Sequence, residues 1–339
     1  ATPGHAGRRR RPGAAPIRRR IGQPADCLAA AVGYRGWVPT PALDDGSATE
    51  PEDFVAACVQ FDVRQGDVAA NLTAVRDGIT EAIAAGATLV VLPELWATSF
   101  LAEYDAATLA EAAAAEREVR ELSAQHGLCV IGSNVEASGD HLHNTVQIYD
   151  QGRWLGAYRK LHLFSPNLED RRLSPGDQPL VVDTSCGRLG VLVCYDLRFP
   201  ELARYYFHCG VEILTVPGQW PEARAQHWRT LLRARAIEDQ MFVLGCNRTG
   251  QEPSQRNGEP MAFPGDSRIV DPTGEVLAAG AGAAGVILAP IELRKARTVR
   301  RILPVARDQR PKVYRALFEA AWPRMVEASR EDAEPGATS

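Results

Sequence analysis

The chain is short of the features that usually declare a protein's class. No run of about 18 or more apolar residues occurs in its 339 residues, so no segment reads as a membrane-spanning helix. Neither charge dominates: 38 basic side chains face 42 acidic ones, a formal net charge of −4 without the basic footprint of a nucleic-acid binder. Seven cysteines (Cys27, Cys58, Cys129, Cys186, Cys194, Cys209, Cys246) are odd in number and irregular in spacing, with no Cys-x-x-Cys pair. That weakens a structural zinc site and a thioredoxin-like dithiol. Four of them (Cys58, Cys129, Cys194, Cys246) sit in or beside apolar runs, as small buried thiols of a reducing cytosol do. A Gly-rich phosphate loop and a Gly-x-Ser-x-Gly elbow are both missing. His141 and His143, beside Asp140, lack further ligands at metal spacing and read as a loop-to-strand junction. The expectation is a cytoplasmic protein engaging neither membrane nor nucleic acid.

What is present is the composition of a globular protein, 45% hydrophobic and 24% charged, with core enough to need no disulfides. Residues 1–53 stand apart. Seven arginines fall between Arg8 and Arg20 among Gly, Pro and Ala, and an acidic stretch through Asp44, Asp45, Glu50, Glu52 and Asp53 follows. This reads as a disordered arm, with a translated upstream extension as one origin for it. A nucleic-acid or anionic-surface tether and a twin-arginine export signal are the alternatives. The second is weakened because Cys27–Tyr34 is too short, and too broken by Gly33, for an apolar h-region.

From Phe54 the texture becomes that of an α/β domain, expected over 54–315 with a C-terminal helix or tail at 316–339. Apolar runs such as FVAACVQFDV, ATLVVLPE and GLCVIGSNVE read as strands. Between them lie helical periods, Leu72, Val75, Ile79 and Ile83 ending at Gly86, and a second from about Ala106 to His126 ending at Gly127. Hairpins are expected at Gln151-Gly152, at Cys186-Gly187 and at Pro272-Thr273-Gly274. In the second half, ELARYYFHCG and EARAQHWRTLLRARAIEDQ read as helices, and VEILTVPG, MFVLGCNRTG and AGVILAPIEL as strands. Two similar halves imply two packed mixed sheets with helices outside.

Three polar residues each stand just past an apolar run: Glu94 in VVLPELWATSF, Lys160 in GAYRKLHLF and Cys194 in GVLVCYDLRFPE. A thiol entering a turn from a buried strand is where α/β enzymes hold a nucleophile. Attack on an amide or nitrile carbon also needs a base, which Glu94 can be. It needs positive charge for the developing anion, which Lys160 and the backbone N–H of Tyr195 can supply. Taken singly, each has a plainer reading: a buried thiol, a turn acid, an edge lysine.

Together the strings resemble the motifs of the nitrilase, or carbon-nitrogen hydrolase, superfamily, over about Phe54 to Tyr314. The resemblance implies a four-layer α-β-β-α sandwich and a Glu94–Lys160–Cys194 triad. It also implies no cofactor, and a homodimer or higher homo-oligomer. A second, supporting glutamate of the superfamily is matched by Glu169, with Asp170 as its rival. Cys194-Tyr195-Asp196 is similar to the amidase branches rather than to Cys-Trp-Glu nitrilases. GQWPEARAQHW is similar to the omega-amidase-like group, which acts on 2-oxo acid amides such as 2-oxoglutaramate. Deaminated-glutathione amidase, N-carbamoyl amide hydrolase and a catalytically silent scaffold are the rival readings. Gln219 departs from the usual Asn before Trp-Pro. With Trp220, Arg198, Arg224 and His227 it is expected at the substrate, where cations meet a carboxylate. Arg198 has an equal alternative as an ion-pair partner of Glu201, and Glu238 reads as paired with Arg233 or Arg235, with burial near the triad as its alternative.

Overall fold

Sequence alternation becomes layering in the computed structural model, which describes residue 1 and residues 53–331, the last three by backbone alone. The expected arm over 1–53 therefore lies almost wholly outside the described residues. In β1 (Phe54–Gln60), Ala56 and Cys58 point one way, and Ala57 and Val59 the other. The first pair joins Leu89 and Val91 of β2 (Ala87–Val91), and Cys129 and Ile131 of β3 (Cys129–Ser138), in the core between the sheets. The second pair joins Val75 and Ile79 of α1 (Val68–Ala84) and Ala112 and Val119 of α2 (Ala106–His126). Each such Val, Ile or Leu contributes about 1.5–3 kcal/mol by burial.

Both helices start at a capping aspartate, Asp67 accepting from Ala70 N at 3.0 Å and Asp105 from Thr108 N at 2.7 Å. α2 ends at Gly127, left-handed at φ 64°. These helices cross over between the parallel strands β1, β2 and β3. β4 (His141–Asp150) and β5 (Arg153–Arg159) then turn back antiparallel through Gln151 (φ 53°) and Gly152 (φ 77°).

The second sheet repeats the plan. β6 (Val181–Thr184), β7 (Gly187–Val191), β8 (Ile213–Gly218) and β9 (Phe242–Asn247) are joined by α3 (Pro200–His208) and α4 (Ala225–Asp239). β10 (Thr249–Pro253) and β11 (Pro260–Pro264) form a separate hairpin. β12 (Arg268–Val270) and β13 (Val276–Ala279) complete the second sheet, and β14 (Gly285–Ile291) returns to pair with β1. The strand orders are β14-β1-β2-β3-β4-β5 and β13-β12-β9-β8-β7-β6, both mixed. Helices outside two packed sheets give the four-layer α-β-β-α sandwich. α4 sits so close to its sheet that a Cβ on Gly245 would lie 2.6 Å from Leu232 Cδ1.

Three features differ from the sequence reading. The strand expected through Gly250 stops at Asn247, whose Oδ1 accepts from Trp220 N at 2.7 Å, and the chain restarts as β10. Leu293, expected to close the last strand, instead opens α5 (Leu293–Ile302), anchored by buried Leu293 and Ala296. After α6 (Val305–Asp308), α7 runs Pro311–Glu331, across position 315. No helix of the described residues is long and apolar enough to cross a membrane.

Candidate active site

The strand ends deliver the polar residues. β2 stops at Val91, and Leu92-Pro93 carry the chain to Glu94. β5 stops at Arg159, one residue before Lys160. β7 stops at Val191, and Cys194 opens a short 3₁₀ turn to Arg198. Backbone strain collects here. Leu95 (φ 43°), Ser99 (φ 56°), Leu168 (φ 62°) and Cys194 (φ 45°) are left-handed without being glycine. Each costs on the order of 1–3 kcal/mol and persists only where the surroundings enforce it. Asp196 does so at the cysteine turn. Its buried carboxylate accepts from Val193 N (3.0 Å), Tyr158 Oη (2.7 Å) and His162 N (2.9 Å). The lysine loop is thereby tied to the cysteine turn.

Lys160 Nζ lies 2.7 Å from Glu94 Oε1 and 2.7 Å from Glu169 Oε2, all three side chains sealed from solvent. Asn144 Nδ2 bridges the same carboxylates, at 2.8 Å to Glu94 Oε1 and 3.0 Å to Glu169 Oε1. Glu169 also accepts from Phe164 N at 2.6 Å. Its rival Asp170 is exposed, 3.8 Å from Arg171. Burial alone would lower the Lys160 pKa, but the Glu169 and Glu94 carboxylates outweigh it and raise it. Burial raises the Glu169 carboxyl, against the pull of Lys160. The Cys194 thiol is pushed well above its usual value by burial and then by Glu94, while Lys160 opposes. Such a thiol is protonated at rest, so a base must act as it attacks.

A cavity opens on Cys194. Phe164, Tyr195, Arg198, Gln219, Trp220 and Arg224 help line it. Arg198 stacks on Trp220, 4.6 Å from the ring centre, and touches His227 Nδ1 at 3.3 Å. Arg224 lies over Phe164 at 5.7 Å. No carboxylate of the described residues pairs with Arg198 or Arg224, so the alternative partner Glu201 is not engaged. His227 is exposed and reaches the cavity only through Arg198. Gln219 borders the cavity, yet both ends of its side chain are bound elsewhere, to Glu94 O and to Arg248. Glu238 is paired with Arg235 at 2.5 Å. Among the described residues no group of three or more His, Cys, Asp or Glu could hold a metal ion.

Sequence reasoning passed over Asn144, Asp196 and Arg248. Asn144 carried a signal: a polar residue inside the run HNTVQIY, opposite the residue that follows β5.

The family model for carbon-nitrogen hydrolases matches residues 55–301. The chain belongs to the carbon-nitrogen hydrolase family. Among its relatives is the 2-oxoglutaramate amidase of Bacillus subtilis, 35% identical over 264 residues, 77% of this chain and 99% of the relative. The deaminated glutathione amidase of Homo sapiens is 35% identical over 258 residues, 70% of this chain and 76% of the relative. In structure the chain resembles Nit3 of Saccharomyces cerevisiae, a member of the nitrilase superfamily. The TM-score is 0.67 at 26% identity, covering 78% of this chain and all (100%) of that one. This carbon-nitrogen hydrolase is an enzyme that acts on amides.

Proposed function

We propose that this hydrolase removes ammonia from the terminal amide of a small 2-oxo acid, such as 2-oxoglutaramate, through a thioester on Cys194. The observation that carries the substrate class is the pair of arginines, Arg198 and Arg224, lining the Cys194 cavity with no carboxylate partner among the described residues. Burial, and the nearby Arg224 charge, lower the Arg198 pKa, a strain that a bound carboxylate relieves.

In the first half, Glu94 takes the thiol proton as sulfur bonds to the amide carbon. Lys160 and the Tyr195 N–H, which heads its 3₁₀ turn without an intrahelical acceptor, face the developing oxyanion. The carbon–nitrogen bond breaks as Glu94 returns the proton to nitrogen. In the second half, Glu94 takes a proton from water, water opens the thioester, and the carboxylate leaves with Cys194 a thiol again. Glu169 and Asn144 hold Lys160 and Glu94 in place.

The decisive experiment is ammonia release from 2-oxoglutaramate, 2-oxosuccinamate, deaminated glutathione, an N-carbamoyl amino acid and a simple nitrile, with Cys194→Ala alongside. Cys194-dependent turnover that is fastest on the 2-oxo acid amides is expected. Faster turnover of deaminated glutathione would transfer the enzyme to that branch. Full activity in Cys194→Ala would end the thioester mechanism.

Two broader readings go with this one. The six described cysteines are unpaired thiols, which fits a reducing cytoplasm. Self-association is supported by exposed apolar side chains on α7.

A further inference from the structure

Gln219 stands at the end of β8 beside the nucleophile, where the sequence points to a substrate contact. Its side chain faces the other way. Nε2 donates to the backbone carbonyl of Glu94 at 2.7 Å, and the Gln219 N–H donates to Glu94 Oε2 at 2.9 Å. Oε1 accepts from Arg248 Nη1 at 3.1 Å.

Arg248 is itself buried, at 1% exposure, and held on every side. Nη1 meets Glu252 Oε2 at 2.5 Å and Ser99 Oγ at 3.1 Å, Nη2 meets Asp62 Oδ1 at 3.0 Å, and Nε donates to Thr249 O at 3.0 Å. The Phe263 ring lies 4.4 Å beneath it. Burying a guanidinium and a carboxylate together is often no gain over a packed apolar pair, so stability alone does not account for this cluster. Its place does. Ser99 belongs to the loop that follows Glu94, and Glu252 and Phe263 to the β10–β11 hairpin. The cluster therefore ties Gln219 to the loop after Glu94 and to the β10–β11 hairpin.

We propose that Arg248 and the Gln219 side chain are positioning residues for Glu94. Arg248 locks Gln219. Gln219 then sets the carboxylate so that Oε1 stays with Lys160 and Asn144 while Oε2 is presented to the Cys194 thiol. A slack carboxylate would lose that division of labour, and misplacement by about 1 Å can cost roughly a hundredfold in rate. The inference rests on the reading of Cys194 as nucleophile and Glu94 as base.

The test uses iodoacetamide on the full-length chain, so it needs no knowledge of the substrate. Sulfur bonds to the methylene carbon, iodide leaves, and the thiol proton passes to Glu94. The rate of Cys194 alkylation is followed by peptide mass across a pH series, with Cys194→Ala as control. Gln219→Met keeps the volume and removes both polar ends. It should slow alkylation near pH 7 about tenfold or more and move the midpoint of the pH profile upward, toward that of an unassisted buried thiol. Arg248→Lys keeps charge beside Glu252 but cannot fork to Ser99, Asp62 and Gln219 at once. It should shift rate and midpoint in the same direction, and it decides the matter if Gln219→Met does not fold. A merely structural role would lower the melting temperature and leave the midpoint alone. Folded variants with the wild-type rate and midpoint would overturn the proposal. An unreactive wild-type Cys194 would instead overturn the nucleophile reading, and the inference with it.

Discussion

One buried ammonium between two carboxylates limits what each neighbour can be replaced by. Glu169 accepts from three donors, Asn144 Nδ2, Lys160 Nζ and Phe164 N. Glutamine has one oxygen to offer, and its amide would oppose a donor whichever way it turned. Glu169→Gln should therefore keep the fold and loosen Lys160. We expect kcat to fall roughly a hundredfold, about 2.7 kcal/mol of transition-state stabilisation, with KM within about threefold. Steady-state kinetics on the preferred amide checks this; a loss confined to KM would place Glu169 at the substrate instead. At this scale the sequence was partly legible. Glu94, Lys160 and Cys194 each have a plainer reading alone, and stand out only together, through the strings around them. Asp196 does not stand out, since an acid two residues into a turn looks solvated, and only the folded chain brings His162 and Tyr158 to it. Gln219 was assigned a direction that spacing cannot supply, because the side chains at a strand's end are set by what packs behind them.

Between elements, the strands were readable as short apolar runs and the crossover helices by their 3.6-residue period. The β10–β11 hairpin was not: TGQEPSQRNGEPMAFP alternates poorly, and its pairing is held by contacts to distant loops, such as Ser254 Oγ to Asn167 Oδ1 at 3.1 Å. The junction of α3, α4 and α5 was equally hidden. There Asp239 ends α4, where the helix dipole disfavours an anion. Arg204 Nε is 3.0 Å from its Oδ1, yet neither oxygen is hydrogen-bonded. Burial raises its pKa to about 7, Arg204 pulling the other way. Because the folded value lies above the unfolded one, the native state binds more protons between about pH 4 and 7, and stability declines as pH rises through that window. Asp239→Asn keeps the shape without the charge. It should melt about 2–4 °C above wild type at pH 8 and show no gain at about pH 3, below that window. Equal curves at both pH values would mean that Arg204 already compensates the charge in full.

The whole molecule has a lopsided surface. Eight of the ten exposed large hydrophobic side chains among the described residues lie between Ile302 and Met325. On α7, Tyr314, Leu317, Phe318, Trp322 and Met325 recur at three- and four-residue steps, so at 3.6 residues per turn they share one side of the helix. A monomer rarely leaves so continuous an apolar stripe in water, and a formal charge of −4 on 339 residues repels a second copy only weakly. Self-association through this stripe is the arrangement we expect. The cavity belongs to the other end of the argument: its lining comes from residues 164–224, none of them on α7. The two properties are therefore separable. Leu317→Glu with Trp322→Glu places carboxylates where two copies would meet, and should shift the mass measured by light scattering from dimer or larger to monomer. Cys194-dependent ammonia release by the separated monomer then reports whether one copy suffices for the chemistry. A wild-type chain that is already monomeric at micromolar concentration would remove the stripe as a self-association surface and leave the site as described.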